Sequence, residues 1–209
     1  VKTLSVIGAG TMGSGIAIAA LDAGFTVMLL EQDAAALQRG RERIAEHYRQ
    51  RVATGKLDAA RASAAEARLA TSMDWASLAA ADLVIEAVFE DLAVKQEVFR
   101  RIDAHARQGA VLATNTSYLD VDAIAQATAR PQDVLGLHFF SPAHVMKLLE
   151  VVRGARTAPD VLATGNALGK ALRKTPVLCG NRFGFIGNRI YNAYRMQCEF
   201  MLEDGAWPE

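Results

Sequence analysis

Short apolar runs alternate along the chain with longer stretches whose apolar positions recur at helical spacing. Leu4, Val6 and Ile7 form a strand-like run that stops at Gly8, and small apolar residues at 16–23 then read as a helix made to lie tightly on a sheet. A second apolar strand covers 25–30. From Asp33 to about Arg68 the composition turns to Ala, Arg, Glu and Gln around a break at Thr54-Gly55-Lys56, which predicts two helices joined by a turn. That excursion is longer than a simple crossover and is expected to project from the sheet. A short strand at 69–72 and a short helix at 75–80 lead to 82–88, a near-continuous apolar run of the kind found in central parallel strands. Beyond it the pattern predicts a helix at 92–106 and strands at 110–113, 134–140 and 148–152. A helix at 159–172, a strand at 176–179 and a long helix at 187–203 complete the series. This alternation predicts an α/β fold, a doubly wound and mostly parallel sheet covered on both faces.

The first strand-to-helix junction carries chemistry. Glycines at 8, 10 and 13 have the Gly-x-Gly-x-x-Gly spacing between a strand and a helix, the context that a dinucleotide fingerprint requires. Gly8 permits the tight turn, Gly10 lets backbone approach a pyrophosphate, and Gly13 lets the helix pack closely on the strand. The helix then presents free N–H groups and its positive dipole end to phosphate oxygens. Glu31 ends the second strand, 23 residues past Gly8, near the interval at which such folds place an acid on the adenosine ribose. A carboxylate there accepts from the 2′ and 3′ hydroxyls and repels a 2′-phosphate, so NAD is favoured over NADP. Asp33 is a rival for this role, but its place before Ala34-Ala35-Ala36-Leu37 suits a helix N-cap.

Two further groups stand at strand ends. Thr114-Asn115-Thr116-Ser117 follows the strand at 110–113, where polar side chains point into the ligand crevice of such a sheet, although a loop that only turns the chain uses the same residue types. His138 lies in the apolar strand ended by Ser141-Pro142, and Glu150 lies in an equally apolar strand after it. A lone histidine in such a setting is commonly a satisfied core residue. A buried carboxylate is costly unless paired, however, and an imidazole hydrogen-bonded to it becomes a general base of fixed tautomer.

Composition narrows the partners. Lys plus Arg and Asp plus Glu number 23 each, so no global field favours nucleic acid or an anionic membrane. Cys179 and Cys198 lack CxxC spacing and the histidines do not cluster. Neither a disulfide framework nor a metal site is expected, and a reducing compartment, the cytoplasm, fits. Asp22 and Gly24 break the apolar stretch near the start, so neither a signal peptide nor a membrane span is expected. The 209 residues are enough for one large domain or one and a half. With Val at position 1 and strand from Lys2 onward, the sequence is expected to be a piece of a longer polypeptide.

Several segments in order carry a resemblance. They are Gly8-Ala-Gly-Thr-Met-Gly-Ser-Gly-Ile-Ala17, Asp82-Leu-Val-Ile-Glu-Ala87 with Glu90 and Lys95, Asn115-Thr-Ser117, Gly136-Leu-His-Phe-Phe-Ser-Pro142 with Met146-Lys-Leu-Leu-Glu150, and Phe183-Gly-Phe-Ile-Gly-Asn-Arg189. Together they resemble the NAD-dependent L-3-hydroxyacyl-CoA dehydrogenase family. Ser141-Pro-Ala-His144 and Leu202-Glu-Asp-Gly-Ala-Trp-Pro208 are most similar to the dehydrogenase part of bifunctional enoyl-CoA hydratase/3-hydroxyacyl-CoA dehydrogenase enzymes of fatty-acid β-oxidation.

The resemblance implies a Rossmann-type fold, NAD as cofactor, an acyl-CoA substrate and no metal. It makes His138 the base that takes the proton from the substrate 3-hydroxyl and Glu150 the residue that orients it. Ser117 and Asn188 match positions that bind the reacting oxygen and the nicotinamide end of the cofactor. Gly8, Gly10, Thr11, Met12, Gly13, Glu31, Glu90, Lys95, Asn115 and Ser141 match further cofactor positions. Ser141 stands where single-function members often have Asn, and Glu31 where the family commonly has Asp. Residues 1–184 would form the NAD-binding domain and 185–209 the first helix of a C-terminal helical domain whose remainder is missing. The full-length protein would be a homodimer or a multifunctional chain. Two other readings stay open: a non-catalytic dinucleotide-binding module, and a dehydrogenase of small 3-hydroxy acids.

Overall fold

The computed structural model describes residues 1–207; Pro208, which ends the 202–208 run, and Glu209 lie outside the described residues. Eight strands form one sheet: β1 (Thr3–Ile7), β2 (Thr26–Leu30), β3 (Leu69–Ser72), β4 (Leu83–Glu86), β5 (Val111–Thr114), β6 (Val134–Phe139), β7 (Leu148–Arg153) and β8 (Thr175–Gly180). Their order is β3-β2-β1-β4-β5-β6-β7-β8, and every neighbouring pair is parallel except β6 and β7. The order reverses between β1 and β4, so the carboxyl ends of these strands open a crevice there, the place where such sheets bind ligands. The connection 140–147 is too short for a parallel return, which needs a crossover of about a dozen residues, so β7 runs back against β6.

The helices are α1 (Thr11–Asp22), α2 (Ala34–Ala53), α3 (Ala59–Glu66), α4 (Leu92–His105), α5 (Val121–Ala125), α6 (Pro159–Ala171) and α7 (Gly187–Glu203). Strand side chains alternate between two cores. Leu4, Val6, Leu29, Ile85 and Leu137 pack against Ile16 and Ala17 of α1, Ile44 of α2 and Val161 of α6. Ile7, Leu30, Val84 and Leu112 face the other way, against Phe99 and Ile102 of α4 and Ile124 of α5.

Three expectations change. The first helix begins at Thr11, not Ile16, so the glycine at 13 lies inside its first turns. The excursion does not project as a whole: α2 lies on α1, with Ile44 and Tyr48 buried and Tyr48 OH donating to Asp22 at 3.1 Å. A Cβ on Gly40 would meet Ala9 Cβ at 2.7 Å, so only glycine allows α2 this close to the loop after β1. The short helix α5, capped by Asp120, adds a layer that no pattern predicted.

Candidate active site

The loop after β1 has the form of an anion cradle. Gly8 holds φ +100°, a left-handed backbone that suits glycine, and a Cβ there would sit 2.7 Å from Ala87 O. A Cβ on Gly13 would fall 1.8 Å from Gly8 O, so the two glycines interlock. Gly10 is different: nothing lies within 4 Å of its missing side chain, which leaves bare backbone facing open space. Gly10 is also the N-cap of α1 and supplies no side-chain hydrogen bond, whereas Asp33, Asp58, Asp91 and Asp120 cap α2 to α5. Asp33 therefore spends its carboxylate on Ala36 N at 2.6 Å, which supports its reading as a cap. The first turn of α1 contains no acid, and its Thr11, Met12 and Gly13 stand next to the open glycine. An uncapped helix start with no acid in its first turn fits the pyrophosphate of a dinucleotide.

Glu31, at the end of β2, reaches across to this loop. Its Oε2 accepts from Ala9 N at 3.0 Å and its Oε1 from Gln32 N at 2.7 Å. Beside it lies a cleft of about 470 Å³ lined by Gly8, Glu31, Trp75, Val88, Val98 and Arg101. A largely apolar slot with Glu31 at the end next to the glycine loop, and Glu97 beside Arg101 elsewhere in its lining, fits an adenosine whose ribose hydroxyls Glu31 would take.

On the other side of the crevice Glu90 organises the loop after β5. Its Oε1 accepts from Thr116 Oγ1 at 2.6 Å, Ser117 N at 2.7 Å and Tyr118 N at 3.2 Å. Burial pushes the Glu90 carboxyl up, but these bonds and the Lys95 charge outweigh it and hold the group below the usual carboxylate range. Lys95 does not present itself to a ligand. It is 1% exposed, its Nζ lies 2.6 Å from Glu86 Oε1 and 3.4 Å from Glu90 Oε2, and it therefore braces Glu90 from behind. Glu86 is also fully buried and accepts from Thr114 Oγ1 at 2.7 Å and Val88 N at 2.8 Å. Asn115 is likewise engaged, its Oδ1 accepting from Phe139 N at 2.9 Å, so it ties β5 to the end of β6. Ser117 is half-buried and Ser141 exposed at the mouth of the loop after β6.

The centre of the site is a buried pair. His138 Nδ1 lies 2.7 Å from Glu150 Oε2, and both residues are at most 3% exposed. A carboxylate only accepts, so Nδ1 carries a proton, and in the neutral ring Nε2 has its lone pair free. Glu150 Oε1 accepts from Ile186 N at 2.9 Å and Gly187 N at 2.7 Å, the first amides of α7. Burial pushes the Glu150 carboxyl up, yet the bonds from His138, Gly187 and Ile186 more than offset this and lower it. Phe140 and Phe185 enclose the imidazole, with ring centroids at 4.4 and 5.6 Å. Asn188 follows in the first turn of α7, half-buried.

Sequence reasoning missed three contributors: Glu86, Phe185 and the amides of Ile186 and Gly187. Phe185 has φ 45° directly after Gly184 at φ 71°, a strained left-handed pair that turns the chain so the next two N–H groups meet Glu150. Gly184 and Gly187 flanking two apolar residues were the available signal.

Residues 3–182 match the model of the family described as 3-hydroxyacyl-CoA dehydrogenase, NAD binding domain. The chain is 44% identical to a peroxisomal bifunctional enzyme from Danio rerio, over 100% of its own length and 28% of that protein. Among solved structures it resembles 3-hydroxybutyryl-CoA dehydrogenase from Escherichia coli K12, with 42% identity, TM-score 0.95, and 98% of this chain and 43% of that one covered. It also resembles (S)-3-hydroxybutyryl-CoA dehydrogenase PaaH1 from Ralstonia eutropha, with 34% identity, TM-score 0.97, and 100% and 74% covered. The chain thus spans under a third of the curated relative and about three quarters of the Ralstonia eutropha chain.

Proposed function

Because the chain belongs to the 3-hydroxyacyl-CoA dehydrogenase family and contains its NAD-binding domain, we propose that it oxidises (S)-3-hydroxyacyl-CoA to 3-oxoacyl-CoA, or supplies the catalytic NAD-binding portion of an enzyme that does. The observation that carries this reading is the His138–Glu150 pair, whose Nδ1 is fixed as donor and whose Nε2 is left to work.

NAD, when bound, supplies the acceptor for the hydride that leaves substrate C3. The backbone of Gly8, Gly10, Thr11, Met12 and Gly13 holds its pyrophosphate, and Glu31 takes its ribose hydroxyls. Ser117, Asn188 and Ser141 serve the nicotinamide end, with Asn115 and Lys95 setting the loops that carry them. His138 Nε2 takes the 3-hydroxyl proton, and Glu150, ionised and held by α7, stabilises the imidazolium that forms. In reverse His138 returns that proton to the ketone oxygen, so acid favours reduction. Phe140 and Phe185 keep water from the imidazole.

Residues 1–184 are the cofactor domain in this reading, and 185–209 begin a helical one. Along α7 the side chains of Ile190, Tyr191, Tyr194 and Met201 are exposed, a face for that domain in a homodimer or multifunctional chain. No helix among the described residues is long and apolar enough to cross a membrane. The free thiols of Cys179 and Cys198 fit the cytoplasm, while the Danio rerio relative is named peroxisomal; fractionation of the source cells decides.

The deciding assay is NADH-dependent reduction of acetoacetyl-CoA, with NADH binding followed by fluorescence. Turnover that vanishes in His138→Ala while binding persists is the expected result. Binding without turnover would make the chain a cofactor module, and equal turnover of acetoacetate would make it a dehydrogenase of small acids.

A further inference from the structure

Two histidines outside the site described above meet on the other side of α1. His47 lies in α2, and His144 lies in the connection 140–147 between β6 and β7. Their ring centroids are 4.7 Å apart, with the planes inclined at 74°. Both line one cleft of about 270 Å³, beside Thr11, Gly15 and Ile18. Glycine at 15 leaves the room: a Cβ there would stand 3.1 Å from Ala143 Cβ and 3.6 Å from His144 Nδ1.

Each ring brings one unpaired nitrogen. His47 Nε2 and His144 Nδ1 are buried, and neither has a hydrogen-bond partner, so they do not satisfy each other. A buried polar atom without a partner is uncommon, and two of them on adjacent rings point to a shared ligand that the protein does not supply. Burial holds both imidazoles below the ordinary histidine range. The His144 and Arg51 charges add to this for His47, and the Lys174 and Arg51 charges for His144, against the pull of Asp22 on both. The rings are therefore neutral near pH 7, the form that coordinates a metal.

The spacing is that of two imidazoles on one ion. With metal–nitrogen bonds of about 2.0–2.1 Å, each centroid sits about 3.2 Å from the metal, and square to tetrahedral angles set the centroids about 4.5–5.2 Å apart. The observed separation falls inside that range. Glu46 also lines the cleft, but its carboxylate is spent on Arg49 and Gln50. No group of three His, Cys, Asp or Glu side chains comes together among the described residues, so water would complete the coordination.

We propose that His47 and His144 form a binding site for a divalent transition cation, Zn²⁺ or Cu²⁺, that ties α2 to the loop following the strand of His138. Imidazole ligands suit these ions, whereas Mg²⁺ and Ca²⁺ require oxygen. The loop so tied carries Phe140 and Ser141.

Calorimetric titration with ZnCl₂ near neutral pH, and electron paramagnetic resonance of the chain loaded with Cu²⁺, test this. One Zn²⁺ should bind per chain, and His47→Gln and His144→Gln should each weaken it by at least about tenfold, the least that loss even of an outer-shell partner costs. The Cu²⁺ spectrum should show two coupled imidazole nitrogens in the wild type and one in each variant. Zn²⁺ should raise the melting temperature of the wild type but not of the variants, and Mg²⁺ should leave all three unchanged. Circular dichroism of the metal-free variants verifies folding, and the two changes lie on different elements, so a defect in one does not remove the test. Unchanged Zn²⁺ affinity in both variants would put the ion on another group, such as His105 or Cys198, and overturn the proposal. Loss in one variant alone would leave a single-histidine contact and overturn the bridge, as would no binding at all. These readouts do not involve turnover, so they stand or fall apart from the dehydrogenase reading.

Discussion

His138 and Glu150 are register partners across the β6–β7 pair, each directly opposite the other. Opposed residues of an antiparallel pair point to the same face with their Cβ atoms about 5 Å apart. That spacing lets an imidazole and a carboxylate meet at hydrogen-bond distance without bending the backbone. The reversal of β7, which follows from the short connection before it, thus positions the base.

Replacing His138 with Ala should lower kcat by about 10²- to 10⁴-fold and leave NADH affinity unchanged. Glu150→Gln should lower kcat as well, because an amide can offer its N–H side to Nδ1 and release the tautomer. Steady-state kinetics beside NADH fluorescence titration checks both. Full activity in Glu150→Gln would reject its orienting role.

The depressed Glu150 carboxyl has a signed consequence for stability. A group whose pKa is lower folded than unfolded contributes stability above its unfolded value, about 4.3 for Glu, and loses it as pH falls through the folded value. Melting temperature should therefore drop below about pH 4 in the wild type, with a smaller drop in Glu150→Gln. Parallel acid limbs in the two proteins would show that other carboxylates dominate.

The glycines of the first loop should fail in two distinct ways. Gly13→Ala places a Cβ 1.8 Å from Gly8 O, so folding itself should suffer. Gly10→Ala meets no protein atom within 4 Å, so its melting temperature should stay put while NADH affinity falls. Thermal denaturation and binding on the same samples distinguish them.

Cysteine labelling reports on the sheet. Burial, with the Glu150 charge behind it, pushes the Cys179 thiol up to about 12, whereas Cys198 lies half-buried on α7. At pH 8 a thiol reagent should modify Cys198 first and Cys179 only on unfolding. Equal rates at both sites in the native protein would contradict the packing of β8.

Lys95→Met should destabilise the protein by about 3–5 kcal/mol, because Glu86 would be left buried without its cation. Chemical denaturation measures this. A smaller loss together with weaker NADH binding would restore Lys95 as a cofactor contact.

The strands, most helices and the His138–Glu150 pair were legible in the sequence because each rests on local pattern or on the cost of a buried charge. The start of α1 was not, since Gly13 and Gly15 are poor helix formers that close packing against the loop and Ala143 nevertheless demands. The burial of Lys95 was not legible either. Spacing relates it to Glu90, but only the fold shows that it is ion-paired with Glu86 as well. The hold of α7 on Glu150 depends on two left-handed residues in a row, which no periodicity announces.

The placement of α7 also sets an order in time. Within these 209 residues none of its side chains is buried, while its first amides are tied to a buried carboxylate, so the N-terminal end is the most firmly held part of the helix. Fraying therefore runs backward from Glu203, and hydrogen exchange should sweep the same way. The base keeps its tautomer through most of these excursions, because the end of the helix that it depends on is the last to let go.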